Sequence, residues 1–151
     1  ANAYEELLSG YTADIEKIIN NALFDIEYDQ IVIVKNIRFY SLCEHHILPF
    51  FGKIDIGYLP NNKIIGLSKI PRITQVFSKR LQVQERLTEQ IGKAIFENTD
   101  ALGAGVVINA QHMCSSMRGV NMPSTEMVTS SLFGTFKSDD ATRKEFFDLI
   151  K

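Results

Sequence analysis

Side chains that bind soft metal ions are scarce in this sequence, which holds three histidines and two cysteines among 151 residues. Long apolar stretches are absent as well, and no run approaches the ~18 residues that a membrane helix requires. There is no N-x-[ST] acceptor and no signal-peptide pattern, so nothing points to an oxidising, glycosylating compartment. A formal net charge of −2 leaves no general basic field, which argues against broad binding to nucleic acid or anionic membranes. An anionic ligand would need a local cluster of Lys and Arg. The chain also lacks repeats, low-complexity tracts and interdomain linkers, and its length suits one domain with a substantial core. It starts at Ala1 rather than methionine, in residues that already favour helix, and reads as a product trimmed of an upstream part.

The few soft ligands are not scattered. Cys43, His45 and His46 fall in one window, Ser41-Leu42-Cys43-Glu44-His45-His46, and the other two form His112-Met113-Cys114. A disulfide between Cys43 and Cys114 is conceivable. Because each cysteine sits beside histidine, metal-bound thiolates in a reducing, cytoplasmic compartment are the better reading.

Around these windows the periodicity predicts an α+β domain. Residues 3–9 read as the tail of a helix closed by Gly10, and Thr12 as the cap of a second helix reaching Leu23. Ile31 to Phe39 is a β-branched strand leading into the first window. Phe50 to Tyr58 alternates, with Ile54, Ile56 and Tyr58 on one face and Lys53 and Asp55 on the other. Ser68 reads as the cap of a helix burying Ile70, Ile73, Val76 and Phe77. A further helix over 82–97 carries Val83, Leu87, Ile91, Ala94 and Ile95 on one stripe, which makes Gln84-Glu85 a solvated face by default. Val106, Ile108, Ala110, His112 and Cys114 then share one face of a strand with period two. A last strand, 125–136, and a helix capped by Ser138 or Asp139 close the chain. Helices, two strands, two helices, two strands and a helix make an antiparallel α+β arrangement.

Zinc suits a mixed thiolate and imidazole set. Cys43-x-x-His46 has the spacing by which one turn brings two side chains to one ion, and either Cys114 or His112 would complete the set. Three protein ligands would leave a position for water, as catalytic zinc sites do, whereas four would make a closed structural site. A nucleobase-deaminase site is excluded because its H-x-E and P-C-x-x-C elements are missing. Ser68, Lys69 and Arg72 lie at a predicted helix start that favours anions, and Arg118 follows Cys114 closely. Each cation taken singly reads as a solvated surface group.

The residues together resemble GTP cyclohydrolase I. Cys-Glu-His-His at 43–46 is similar to that family's metal motif. The likeness continues through Gly66-Leu67-Ser68-Lys69, Arg72, the stretch from Arg80-Leu81-Gln82 to Leu87-Thr88, His112-Met113-Cys114, Met117-Arg118-Gly119 and Val128-Thr129-Ser130. The resemblance implies the tunnelling fold: a four-stranded antiparallel sheet with two helices on one face, plus N- and C-terminal helices. It also implies an N-terminal helical segment over 1–24 and a catalytic domain over 25–151.

By the same resemblance, Cys43, His46 and Cys114 are the Zn2+ ligands. His45 and His112 move protons, Gln84 and Glu85 read guanine, and Ser68, Lys69, Arg72 and Arg118 hold the ribose and triphosphate. The implied enzyme is a hydrolase acting on cyclic amidine C–N bonds. It opens the GTP imidazole ring, releases C8 as formate and recloses the ribose carbons into 7,8-dihydroneopterin triphosphate for folate or biopterin synthesis. Implied partners are GTP and further copies of the chain in a homodecamer of two pentamers. The family's Thr-Pro-x-Arg-Val-Ala stretch, whose arginine reaches the triphosphate from an adjacent subunit, precedes the point where this sequence starts.

Overall fold

In Pro49–Leu59 (β3), alternate side chains take opposite surroundings: Ile54, Ile56 and Tyr58 are buried while Lys53 is exposed. That pattern organises the computed structural model, which describes residues 2–151. β3 pairs antiparallel with Val32–Cys43 (β2) on one side and Gly103–His112 (β6) on the other, and β6 pairs with Met127–Gly134 (β7). The four long strands are the antiparallel sheet expected from the sequence. A two-residue strand, Leu81–Gln82 (β5), adds parallel to the end of β2, giving the order β5-β2-β3-β6-β7. Leu23–Asp25 (β1) and Lys63–Ile65 (β4) form a separate antiparallel pair.

Lys69–Ser78 (α3) and Gln84–Asn98 (α4) cover the apolar face. Ile70, Ile73, Leu87, Ile91 and Ile95 pack with Ile54, Ile56, Val106 and Ile108 in one cluster. Each such fully buried aliphatic side chain contributes about 1.5–3 kcal/mol. The opposite face is covered at one end by Thr135–Ser138 (α6) and Asp140–Ile150 (α7). There the facing pair Gly57 and Gly105 lies under Phe146, and an added Cβ at either would come within 2.8 Å of that ring. No helix among the described residues is long and apolar enough to cross a membrane.

Several local expectations are corrected. Asn2–Leu7 (α1) is helical, but Ser9–Thr12 forms a 3-10 turn, so Thr12 caps nothing. Ile15–Ile19 (α2) starts at Asp14, whose carboxylate accepts from the backbone N–H groups of Glu16 and Lys17. That helix ends well before Leu23, because Leu23 is drawn into pairing with Ile65. Ser68 has helical dihedrals and makes no side-chain cap. Cys114 does not continue the row of β6: the strand stops at His112, and Met113–Ser116 (α5) carries the thiol on a short helix.

Candidate active site

β2 ends at Cys43, and the chain reverses through 44–47 into β3. The reversal is held by two backbone bonds, Cys43 N–H to Leu48 O at 2.9 Å and Ile47 N–H to Cys43 O at 2.8 Å. It forces Ile47 to φ +54°, a left-handed conformation that costs a β-branched residue about 1–3 kcal/mol. From the other side, β5 pairs with the strand end, and Glu44 N–H donates to Gln82 O at 2.9 Å. The turn is therefore clamped on both flanks, with its His side chains left outside.

Within it, Cys43 Sγ lies 3.9 Å from His46 Nδ1. Cys114 arrives from α5, and the ligand atoms of Cys43, His46 and Cys114 all lie within 4.8 Å of one another. Burial raises the Cys114 thiol above its ordinary pKa, and the facing Cys43 raises it further, while Arg118 opposes the shift. Two sulfurs beside an imidazole form a donor set that suits a divalent cation. The set fits zinc, which takes thiolate and imidazole at about 2.0–2.3 Å. His45 and His112 stand outside this trio among the described residues.

His112 closes β6 directly opposite Phe50, and the two rings stack with centroids 4.7 Å apart and planes 1° from parallel. Its Nε2 is 2.7 Å from Gln84 Oε1. Burial lowers the imidazole pKa, and the Glu85 carboxylate counteracts this, which places Glu85 near the ring. Gln84 and Glu85, adjacent in α4, have opposite fates: Gln84 is 1% exposed, whereas Glu85 is open to solvent. The Gln84 amide nitrogen contacts Ile108 O, Met127 O and Thr129 Oγ1 at 2.9–3.2 Å. Those contacts direct its side-chain amide hydrogens into the protein. The Gln84 side-chain amide is thus engaged internally, and Glu85 is an open carboxylate on this helix.

Sequence reasoning gave Glu44 no chemical task and did not single out Gln82 or Arg86. Arg86 bridges the Glu44 carboxylate, Gln82 Oε1 and Leu81 O, tying the metal turn to α4. The hydrogen bond from Arg86 holds the Glu44 carboxyl below its ordinary pKa. Gln82 in turn donates to Phe77 O and Gln90 Oε1, linking α3 to α4. Spacing offered a signal: Gln84 and Thr88 continue the helical row of Ile91 and Ile95, so they belong to the buried stripe.

The expected phosphate-end residues lie apart from this framework. Ser68, Arg72 and Arg118 are exposed and Lys69 is half-buried. Arg118 acts on Cys114 electrostatically and so sits near the trio. Arg72 lines a groove with Ser9, Gly10, Ala13 and Ile18, on the side of α3 that meets the N-terminal segment.

Comparison with known proteins places this arrangement. The family model described as GTP cyclohydrolase I matches residues 1–151. The chain belongs to the GTP cyclohydrolase I family. GTP cyclohydrolase 1 of Leptospira biflexa is 57% identical over 149 residues, covering 99% of this chain and 81% of that protein. GTP cyclohydrolase 1 of Campylobacter jejuni strain 81116 is 55% identical over 148 residues, covering 98% and 78%. Among solved structures, an apo archaeosine synthase QueF-Like protein superposes with a TM-score of 0.57 at 13% identity, over 72% of this chain and 97% of that one. That likeness concerns the fold, and the fold is the tunnelling fold. Family membership makes the chain a GTP cyclohydrolase, and the Cys43–His46–Cys114 group lies where such an enzyme can hold a metal.

Proposed function

We propose that this GTP cyclohydrolase is zinc-dependent and converts GTP and water to 7,8-dihydroneopterin triphosphate and formate. The observation that carries the reading is the convergence of Cys43, His46 and Cys114 beside His112 and Glu85, from four separate elements and a turn. Cys43, His46 and Cys114 hold Zn2+, which when bound supplies Lewis acidity and an acidified water. The exposed Glu85 carboxylate accepts hydrogen bonds from N1–H and the 2-amino group of guanine, and bases lacking those donors leave it unpaired. His112, half-buried and with its pKa lowered by burial, takes and returns protons around C8 and N7. His45, exposed on the turn, serves proton transfer at the ribose. Ser68, Lys69, Arg72 and Arg118 orient the ribose and triphosphate, mainly by charge and position.

Because Ser68, Arg72 and Arg118 are exposed in the single chain, a charged ligand gains most from them where a second copy of the chain covers it. We place the active form in a cytoplasmic ring assembly, a homodecamer of two pentamers, feeding folate or biopterin synthesis. Supplying GTP to zinc-loaded protein should release formate and yield a neopterin product that fluoresces after oxidation. Absence of both products would overturn the proposal, and light scattering of the same sample measures the subunit number.

A further inference from the structure

The side-chain amide of Gln84 has only one chemically allowed orientation. Its nitrogen faces Ile108 O at 3.2 Å, Met127 O at 2.9 Å and Thr129 Oγ1 at 3.1 Å. Two of these are backbone carbonyls, which only accept. Turning the amide over would press its oxygen against those carbonyl oxygens with no hydrogen between them, in a side chain that is 1% exposed. The hydroxyls agree with this orientation. Thr88 Oγ1 gives its single hydrogen to Gln84 O at 2.7 Å. Across the 2.7 Å contact between Thr88 Oγ1 and Thr129 Oγ1, Thr129 must therefore be the donor. Its oxygen is then free to accept from Gln84, and the three residues close a one-way circuit of hydrogen bonds.

The other end of the amide is thus an oxygen, and it lies 2.7 Å from His112 Nε2. An amide oxygen cannot donate, so Nε2 must carry the hydrogen, and in the neutral ring Nδ1 keeps the lone pair. The parallel stack on Phe50 holds the ring plane while Gln84 selects the tautomer.

We infer that Gln84 is a positioning residue that, through its circuit with Thr88 and Thr129, locks His112 as the Nε2–H tautomer and leaves Nδ1 to exchange the proton with substrate. The inference rests on the proposed proton-transfer role of His112, and it gives the Gln84 side-chain amide an internal task.

The chain has three histidines, so 15N-histidine labelling and solid-state NMR of the intact zinc-loaded protein give few signals. His112 is assigned by the signals lost in His112→Asn. At about pH 8, where an imidazole of ordinary pKa ~6.5 is neutral, a protonated Nε2 and an unprotonated Nδ1 are expected. Gln84→Met should mix the two tautomers and lower kcat at least about tenfold with KM held within about twofold. A proton on Nδ1 in the unaltered protein, or an unchanged tautomer in Gln84→Met, overturns the inference whatever His112 does in turnover. Should Gln84→Met fail to fold, the spectrum of the unaltered protein decides alone. Full activity of His112→Asn would instead overturn the catalytic reading and leave the tautomer assignment standing.

Discussion

At the proposed metal end of the site, Cys43 is buried, Cys114 is half-buried and His46 is exposed on a turn tied to α4 by Glu44, Gln82 and Arg86. At the proposed phosphate end, Ser68, Arg72 and Arg118 stand exposed, and none of the ion pairs among the described residues includes Lys69, Arg72 or Arg118. The difference suits what each end is proposed to do. Ligands that share one ion have to be held to a fraction of an ångström, and only packing and closed hydrogen-bond networks achieve that. Cations that meet a flexible, highly charged group tolerate looser placement, since charge attraction varies slowly with distance. Neutralising them inside the chain would remove their use.

The largest expected effects test the metal end. Cys114→Ser should lose both zinc and turnover, whereas His112→Ala should retain zinc and lose about 10²–10⁴-fold in kcat. Metal analysis beside the assay separates the two, and equal zinc loss in both variants would mean that the ligand set is misassigned. Next comes Glu85→Gln, which turns the carboxylate into an amide without changing its size. A hydrogen bond to a charged group is worth about 1.5–3 kcal/mol, so kcat/KM should fall about 10- to 100-fold with zinc content intact. Unchanged kcat/KM would move base recognition elsewhere.

At the phosphate end, Lys69→Ala and Arg72→Ala should raise KM by roughly three- to tenfold at low salt, and by less at high salt because exposed charges are screened. A salt-independent loss would mean that these cations are built into the fold like the metal end. The smallest effect belongs to an exposed carboxylate that does have partners. Asp148, held by Lys144 and Lys151, is lowered from 3.8 to about 2. A lowered carboxylate contributes stability above its ordinary pKa and loses it as pH falls through the folded one. Asp148→Asn should therefore melt slightly below the unaltered chain at neutral pH, with the gap closing as pH falls from 3.8 toward 2. A gap that persists at pH 2 would assign the effect to packing.

How much of this was readable depended on the range of the interactions. The alternation of Ile54, Ile56 and Tyr58, and the stripe of Leu87, Ile91 and Ile95, are local patterns, and they gave the sheet and its covering helix. Segment ends fared worse where a distant partner decides them. Leu23 left its predicted helix for a strand because Ile65 offered backbone hydrogen bonds, and Asp14 displaced Thr12 as the cap. Cys114 was expected on the face of β6, but the chain turns helical after His112, and the thiol reaches the trio from α5. Gln84 was expected at a solvated face, and it is only 1% exposed.

The sequence by itself determined the chemistry available here. Five histidines and cysteines in two windows, a carboxylate in Glu85 and a few cations offer donors for a metal ion and partners for a polar, anionic substrate, and the ordered motifs name the family. Only the tertiary structure decided the assignments among those groups. It set Cys43, His46 and Cys114 within 4.8 Å, left His112 outside the trio, and turned Gln84 inward while Glu85 faces solvent. The reason is that residue type carries donor and acceptor capacity, whereas direction and desolvation arise only when distant strands and helices close around the same point.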